Sequence, residues 1–132
     1  MNVIVVDDDP LILLLMQRQL LRKGHTVQAY QNPIDCPLYW AATSPSKASA
    51  IYPDIIITDY DMPEVNGAEF LTQVYAKKHS CTQFAIITGQ GIPETDMIRM
   101  ARLGTRIFLK PIDFSELFVW MDRLDLQTLR AS

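Results

Sequence analysis

The sequence alternates short apolar runs with longer segments in which apolar residues recur at helical spacing. Residues 3–6 and 55–58 form unbroken apolar and β-branched runs, which are typical of strands covered on both faces of a sheet. Residues 26–30 alternate apolar and polar side chains and therefore suit a strand nearer the edge. Two further strands are predicted at residues 84–88 and 106–109.

Helical segments separate these strands. Asp9 followed by Pro10 predicts a helix start with Asp9 as the cap, and the apolar stretch 11–21 ends at Gly24. Further helices are predicted in the segments 70–75, 93–102 and 114–129. Strand and helix alternate five times, which predicts an α/β fold: a parallel sheet with helices on both faces, joined by right-handed crossovers.

The segment between the second strand and Pro53 is the least regular part of the chain. Pro33, Pro37 and Pro45 interrupt any long helix, whereas the apolar residues 38–42 indicate a short one. We therefore expect an extended segment around residues 33–52 that contains a short helix.

Composition and charge restrict the function further. With 132 residues, 48% of them hydrophobic, the chain suits one domain over 1–132. A net charge of −3 without a lysine and arginine cluster argues against direct contact with nucleic acid or an anionic membrane. No apolar run approaches the ~20 residues of a membrane span, so the cytoplasm is the expected location. Cys36 and Cys81 lack the spacing of a zinc site or disulfide framework and are read as ordinary reduced thiols.

Polar residues stand at the carboxyl ends of four predicted strands: Asp7 and Asp8, Asp59, Thr88, and Lys110. In an open α/β sheet, ligands bind at this edge, where the strand order reverses. Three carboxylates placed there repel one another unless a cation lies between them. Because the predicted ligands are oxygen atoms without sulfur or imidazole, the site suits Mg²⁺ or Mn²⁺.

Each of these residues also has an ordinary structural explanation when taken alone. An aspartate after a strand often caps the next helix, which for Asp9 is its expected role, and Thr88 or Lys110 could be a common strand ending or a surface charge. Taken together, a hydroxyl and an ammonium beside a metal-bound carboxylate suit a phosphoryl group on that carboxylate. A carboxylate can attack phosphorus directly to give an acyl phosphate.

Four segments together resemble the receiver domain of two-component response regulators. They are VIVVDDDP at 3–10, PDIIITDYDMPEVNG at 53–67, AIITGQG at 85–91 and LGTRIFLKP at 103–111. The resemblance covers essentially the whole chain, and it implies a flavodoxin-like five-stranded sheet in the order 2-1-3-4-5.

The resemblance also implies roles for individual residues. Asp59 would be the phosphoacceptor; Asp8 and Asp59 would bind Mg²⁺ directly, with the Asp61 backbone carbonyl, and Asp7 largely through water. Thr88 and Lys110 would contact the phosphoryl oxygens, and Pro111 would follow a cis peptide. The partner would be a histidine kinase or phosphotransfer protein, and the domain would not be an enzyme beyond assisting its own phosphorylation and dephosphorylation.

Three departures from the family pattern stand out. The stretch before Pro53 is about eight residues longer than usual, and that face could serve a particular partner or be a neutral insertion. Ile107 stands where the family usually has an aromatic residue, while Phe108 is expected on the opposite face of the strand. We hypothesise that activation relies on the loops and the helix 93–102 rather than on ring rotation. Asp61, two residues after the acceptor, could be a solvated turn residue or could affect how fast the acyl phosphate is lost.

Parts of the sequence also allow other functions. The string IIITDYD at 55–61 also resembles the nucleophile motif of haloacid-dehalogenase-type phosphatases, but in those the nucleophile strand comes first, and the chain has no room for their cap. A nucleotide-binding enzyme is disfavoured, because neither a G-x-G-x-x-G motif nor a P-loop motif follows a predicted strand. A degenerate receiver that acts only as an interaction module would lack one of the acidic residues or the lysine, and the sequence retains all of them.

The last predicted helix has a core stripe and an apolar remainder. The stripe consists of Phe114, Leu117, Phe118, Met121 and Leu124. Val119 and Trp120 lie off it and could belong to a homodimer or effector surface formed by helix 93–102, strand 106–109 and helix 114–129, or be scattered exposed residues.

Overall fold

The computed structural model describes residues 1–40, 52–76 and 81–131 of the chain. In these residues five parallel strands form one sheet in the order β2-β1-β3-β4-β5. The strands are β1 (Asn2–Val6), β2 (Thr26–Tyr30), β3 (Ile55–Asp59), β4 (Gln83–Thr88) and β5 (Arg106–Leu109). The helices are α1 (Pro10–Arg22), α2 (Pro37–Trp40), α3 (Gly67–Tyr75), α4 (Glu94–Arg102) and α5 (Phe114–Ala131).

The predicted order of strands is therefore confirmed. The two unbroken apolar runs became neighbouring strands, β1 and β3, and every residue of β3 is buried. The alternating segment became β2, an edge strand, as expected. The structure extends β3 by one residue, so that Asp59 is the last residue of the strand rather than the first residue after it.

Successive residues of a strand point to opposite faces, and both faces of this sheet are covered by apolar clusters. One cluster joins Val3, Val5, Ile55 and Ile57 to residues of α1 and α5. The other joins Ile4, Val6 and Ile56 to residues of α2, α3 and α4. This two-sided burial explains why the central strands read as continuous apolar runs in the sequence.

The predicted start and end of α1 are confirmed. The Asp9 side chain accepts hydrogen bonds from the backbone N–H groups of Leu11, at 2.9 Å, and Ile12, at 3.4 Å, and Pro10 is the first helical residue. Gly24 follows the helix with a φ of 87°, a left-handed conformation that favours glycine.

The irregular segment after β2 begins with a 3₁₀ turn at Pro33–Asp35 and continues into the four-residue helix α2. The short helix predicted at 38–42 thus starts one residue early, and its last two residues lie outside the described part of the chain. The remainder of the predicted extension around 33–52, from residue 41 to residue 51, also lies outside the described residues.

The packing of α5 corrects one prediction. Leu117 and Met121 are fully buried, as the core stripe requires, and Val119 is 52% exposed. Trp120, however, is half-buried, and its ring packs edge-on against the buried Phe108 ring at 5.7 Å between centroids. The prediction that Trp120 lies off the core is wrong, because β5 is an edge strand and the ring of Phe108 is covered by Trp120.

No helix within 1–40, 52–76 and 81–131 is both long enough and apolar enough to cross a membrane.

Candidate functional site

Three carboxylates meet at the carboxyl edge of the sheet. Asp7 and Asp8 follow β1, Asp59 ends β3, and the register pairs Val6 with Thr58, so the residues that come next are neighbours. One ligand oxygen from each of the three aspartates lies within 4.8 Å of the others. Asp7 and Asp59 are only 2% and 3% exposed, whereas Asp8 faces solvent. The sequence prediction that these carboxylates converge is confirmed.

Lys110 supplies a positive charge to this cluster from the end of β5. Its Nζ lies 3.0 Å from Oδ1 of Asp59. That contact is an ion pair without hydrogen-bond geometry, and within the described residues Oδ1 has no hydrogen-bond donor. One ammonium cannot balance three carboxylates that lie this close together, two of them buried. The donor set therefore fits a small divalent cation bound through oxygen.

The electrostatics of the cluster point the same way. Burial raises the pKa of Asp59 to about 6, the Asp7 carboxylate contributes to the rise, and Lys110 opposes it. Burial also raises the pKa of Asp7, although the Asp9 backbone N–H, 2.9 Å from Oδ1 of Asp7, acts in the opposite direction. Burial lowers the pKa of Lys110, but its contact with Asp59 leaves that pKa above the usual value. A divalent cation would stabilise both buried groups as carboxylates.

Thr88 ends β4 at the same edge of the sheet. It is 2% exposed, and its backbone carbonyl accepts a hydrogen bond from the Lys110 N–H at 2.8 Å. Its hydroxyl donates to the Gln90 carbonyl at 2.6 Å and accepts from the Gln90 N–H at 3.3 Å. The hydroxyl is thus engaged with the β4–α4 connection, and it would have to exchange this carbonyl for any other acceptor. The peptide between Lys110 and Pro111 is cis, as the family resemblance implied.

Gly67 fixes the backbone of Asp59 from the other side. Its N–H donates to the Tyr60 carbonyl at 2.9 Å. A Cβ at this position would collide with the Asp59 carbonyl oxygen and would lie 3.1 Å from the Cα of Tyr60. In the sequence, Gly67 stood out only as the last residue of the segment 53–67 that resembles the family. The available signal was its place at the end of the loop that follows the acceptor.

The two residues that depart from the family pattern are also located. Asp61 is exposed on the loop after β3, and its predicted roles in metal binding and phosphoryl loss stay predictions. Ile107 is half-buried on β5, while Phe108 is 2% exposed in the cluster formed with α1 and α5. The two side chains therefore point to opposite faces of the sheet, as expected.

Comparison with known proteins identifies the class. The family model of the response regulator receiver domain matches residues 3–121. The chain therefore belongs to the response regulator receiver domain family of two-component signalling. This assignment confirms the resemblance drawn from the four sequence segments.

Individual relatives show how far the similarity extends. The putative two-component response regulator ARR21 of Arabidopsis thaliana is 38% identical over 73 residues, which are 55% of this chain and 11% of that protein. Protein PilH of Pseudomonas aeruginosa is 28% identical over 113 residues, 85% of this chain and 87% of PilH. The matched stretch is thus a small part of the Arabidopsis protein but nearly all of PilH.

A solved structure supports the fold. The response regulator protein TrrA of Thermotoga maritima, in complex with Mg²⁺-BeF, superposes with a TM-score of 0.72 at 22% identity. The match covers 93% of this chain and 97% of that one. At this level of identity the similarity shows the flavodoxin-like receiver fold.

Proposed function

We propose that residues 1–132 act as one receiver domain in which Asp59 accepts a phosphoryl group from a histidine kinase or phosphotransfer protein. The observation that carries the proposal is the buried Asp59 carboxylate, which lies between the acidic cluster with Asp7 and Asp8 and the Lys110 ammonium, 3.0 Å from its Oδ1. Membership of the receiver domain family supports this class of donor. The expected reaction is Mg²⁺-dependent and takes place in the cytoplasm.

Asp7, Asp8 and Asp59 would hold the Mg²⁺, together with the backbone carbonyl of Asp61. The relative TrrA was solved with Mg²⁺-BeF bound, which supports the choice of metal. When bound, the ion neutralises charge on the phosphoryl oxygens and on the cluster. Mn²⁺, which also prefers oxygen ligands, would be a substitute.

The residues of the chain have separate parts in the transfer. An Oδ atom of Asp59 attacks phosphorus, the new O–P bond forms, and the P–N bond to the donor histidine breaks, which leaves the electron pair on the imidazole. Lys110 is placed to neutralise one phosphoryl oxygen, and the Thr88 hydroxyl to donate to another once it releases the Gln90 carbonyl. Water later attacks the phosphorus of the acyl phosphate, the O–P bond to Asp59 breaks, and inorganic phosphate leaves, which returns Asp59 to a carboxylate.

The functional result of phosphorylation is a shift in the populations of two conformations of the domain, which present different contact surfaces to a partner. A phosphoryl group adds negative charge at Asp59 and new acceptors for the Thr88 hydroxyl. The face formed by α4, β5 and α5 is the proposed contact surface for an effector or a second copy of the chain. The domain is accordingly not an enzyme apart from assisting its own phosphorylation and dephosphorylation.

Intact-mass spectrometry after incubation with Mg²⁺ and acetyl phosphate tests the proposal. The expected result is the added mass of one phosphoryl group, which is lost on incubation in hydroxylamine and is absent when EDTA replaces Mg²⁺. Asp59→Asn should show no addition, whereas Asp54→Asn, at the opposite edge of the sheet, should behave as wild type. Absence of the adduct on wild type would favour a degenerate receiver that acts only as an interaction module.

A further inference from the structure

Tyr60 follows Asp59 directly and reaches across to helix α4. Its hydroxyl donates a hydrogen bond to Oδ2 of Asp96 at 2.5 Å, between residues that are 36 positions apart. We infer that Tyr60 is a positioning residue that couples the phosphorylation state of Asp59 to the position of α4 through this hydrogen bond. The inference rests on the proposed function, because it assigns the route by which a phosphoryl group at Asp59 acts on α4.

The Asp59 end of this link is held rigidly. The Tyr60 N–H donates to the Ile87 carbonyl and the Tyr60 carbonyl accepts from Gly67, both at 2.9 Å. The Tyr60 ring belongs to the apolar cluster beneath α3 and α4 and is 7% exposed. Because the ring is packed in this cluster, a displacement of the backbone next to Asp59 would be passed on to the Tyr60 hydroxyl rather than absorbed by rotation of the side chain.

The α4 end is held by few other interactions. Only Met100 of the nine residues of α4 is buried, and Pro93 at the N-cap position offers no side-chain hydrogen bond to the first turn. The Asp96 side chain is 13% exposed, with Oδ1 paired to Arg99 and Oδ2 to Tyr60. A helix with one buried residue and no side-chain cap is the kind of element that moves at low energetic cost. The Tyr60 hydrogen bond therefore joins a lightly buried helix to the residue next to Asp59.

Hydrogen–deuterium exchange of peptides from α4, measured with and without Mg²⁺ and beryllofluoride, tests the coupling. In wild type, beryllofluoride should change exchange in 94–102. In Tyr60→Phe the amides of α4 should exchange about fivefold faster without ligand, since one hydrogen bond is lost. The beryllofluoride-dependent change should fall to less than half of the wild-type change.

Three further variants distinguish loss of the coupling from a non-specific loss of stability. Asp96→Ala should behave as Tyr60→Phe, and it provides the test if Tyr60→Phe does not fold. Asp96→Asn keeps an acceptor oxygen and should restore most of the response. Tyr75→Phe, which removes a hydroxyl from a half-exposed tyrosine on α3, should match wild type.

Binding of beryllofluoride at the site, followed by its ¹⁹F NMR signal, distinguishes the possible failures. A normal signal in Tyr60→Phe together with a full α4 response overturns the coupling and leaves the proposed function intact. The same conclusion follows if wild type binds the probe without any change in α4. Absence of the bound signal in wild type overturns the proposed function and the coupling with it.

Discussion

Replacing Asp59 by Asn should stabilise the protein in the absence of metal, although it removes the proposed phosphoacceptor. Asp59 is 3% exposed and lies against Asp7, so its negative charge is desolvated and repelled, and Lys110 compensates only in part. Asn has nearly the same shape and no charge. The substitution therefore isolates the electrostatic cost of the carboxylate from its packing.

The magnitude follows from the pKa of Asp59, which burial raises from 3.8 to about 6. Because one pKa unit corresponds to about 1.4 kcal/mol, the ionised carboxylate destabilises the metal-free fold at neutral pH by about 3 kcal/mol. The pKa is raised on folding, so this group favours the folded state fully below pH 3.8 and loses that contribution as the pH rises through about 6. Asp59→Asn should gain about 1–3 kcal/mol at neutral pH, since a buried amide also carries a desolvation cost.

Urea unfolding at several pH values, with EDTA or with Mg²⁺, measures the effect. The difference in the free energy of unfolding between Asp59→Asn and wild type should grow from about pH 4 to about pH 7 in EDTA. Mg²⁺ at about 100 times its Kd should raise the free energy of unfolding of wild type by about 3 kcal/mol and that of the variant much less. The stability advantage of Asp59→Asn should therefore shrink or reverse in Mg²⁺. Asp54→Asn should keep the wild-type response to Mg²⁺.

Two results would refute this reasoning. One is a metal-free Asp59→Asn protein that is less stable than wild type at neutral pH, which would mean that the ion pair with Lys110 outweighs desolvation. The other is an equal Mg²⁺ response in both proteins, which would place the metal away from Asp59.

Three other substitutions test the surroundings of the acceptor. Gly67→Ala should lower the free energy of unfolding by about 1–3 kcal/mol and weaken Mg²⁺ binding, because its methyl group meets the Asp59 carbonyl. Urea unfolding and Mg²⁺ titration measure the two effects. Results equal to those of Gly91→Ala, where a Cβ meets nothing within 4 Å, would contradict this prediction. Asp61→Asn should lengthen the phosphoryl-aspartate lifetime severalfold, because a carboxylate on the loop can accept a proton from the attacking water; equal lifetimes by mass spectrometry remove that role. Ile107→Ala should lower the free energy of unfolding by about 1–2 kcal/mol, yet the hydrogen exchange of α4 should still respond to beryllofluoride. Loss of that response without loss of stability would show that Ile107 itself transmits the signal.

Much of the fold could be predicted because strand burial leaves a local mark in the sequence. Residues 3–6 are all apolar and residues 55–58 are all β-branched, which is typical of a strand covered on both faces, and this identified the centre of the sheet. The alternating residues 26–30 identified an edge strand on the same principle. The cluster at the sheet edge followed from topology, since the carboxyl ends of parallel strands lie together.

The contacts that could not be predicted join elements that are distant in the chain. Helical spacing identifies the buried stripe of α5, but not that Trp120 would cover Phe108 on the edge strand. The hydrogen bond between Tyr60 and Asp96 likewise depends on the distance between two packed elements, which no local pattern encodes. The sequence shows that residue 67 is glycine, but not that its backbone approaches the Asp59 carbonyl. That approach depends on how the loop after β3 returns to the strand.

The most direct test of the central claim is to locate the phosphoryl group at one atom of the chain. Wild type treated with Mg²⁺ and acetyl phosphate would be reduced with borohydride, which converts an aspartyl phosphate to homoserine, and digested for peptide sequencing by mass spectrometry. Homoserine is expected at position 59 alone, and none is expected when EDTA replaces Mg²⁺. Homoserine at position 7, 8 or 61, or none anywhere in the wild-type chain, would contradict the claim.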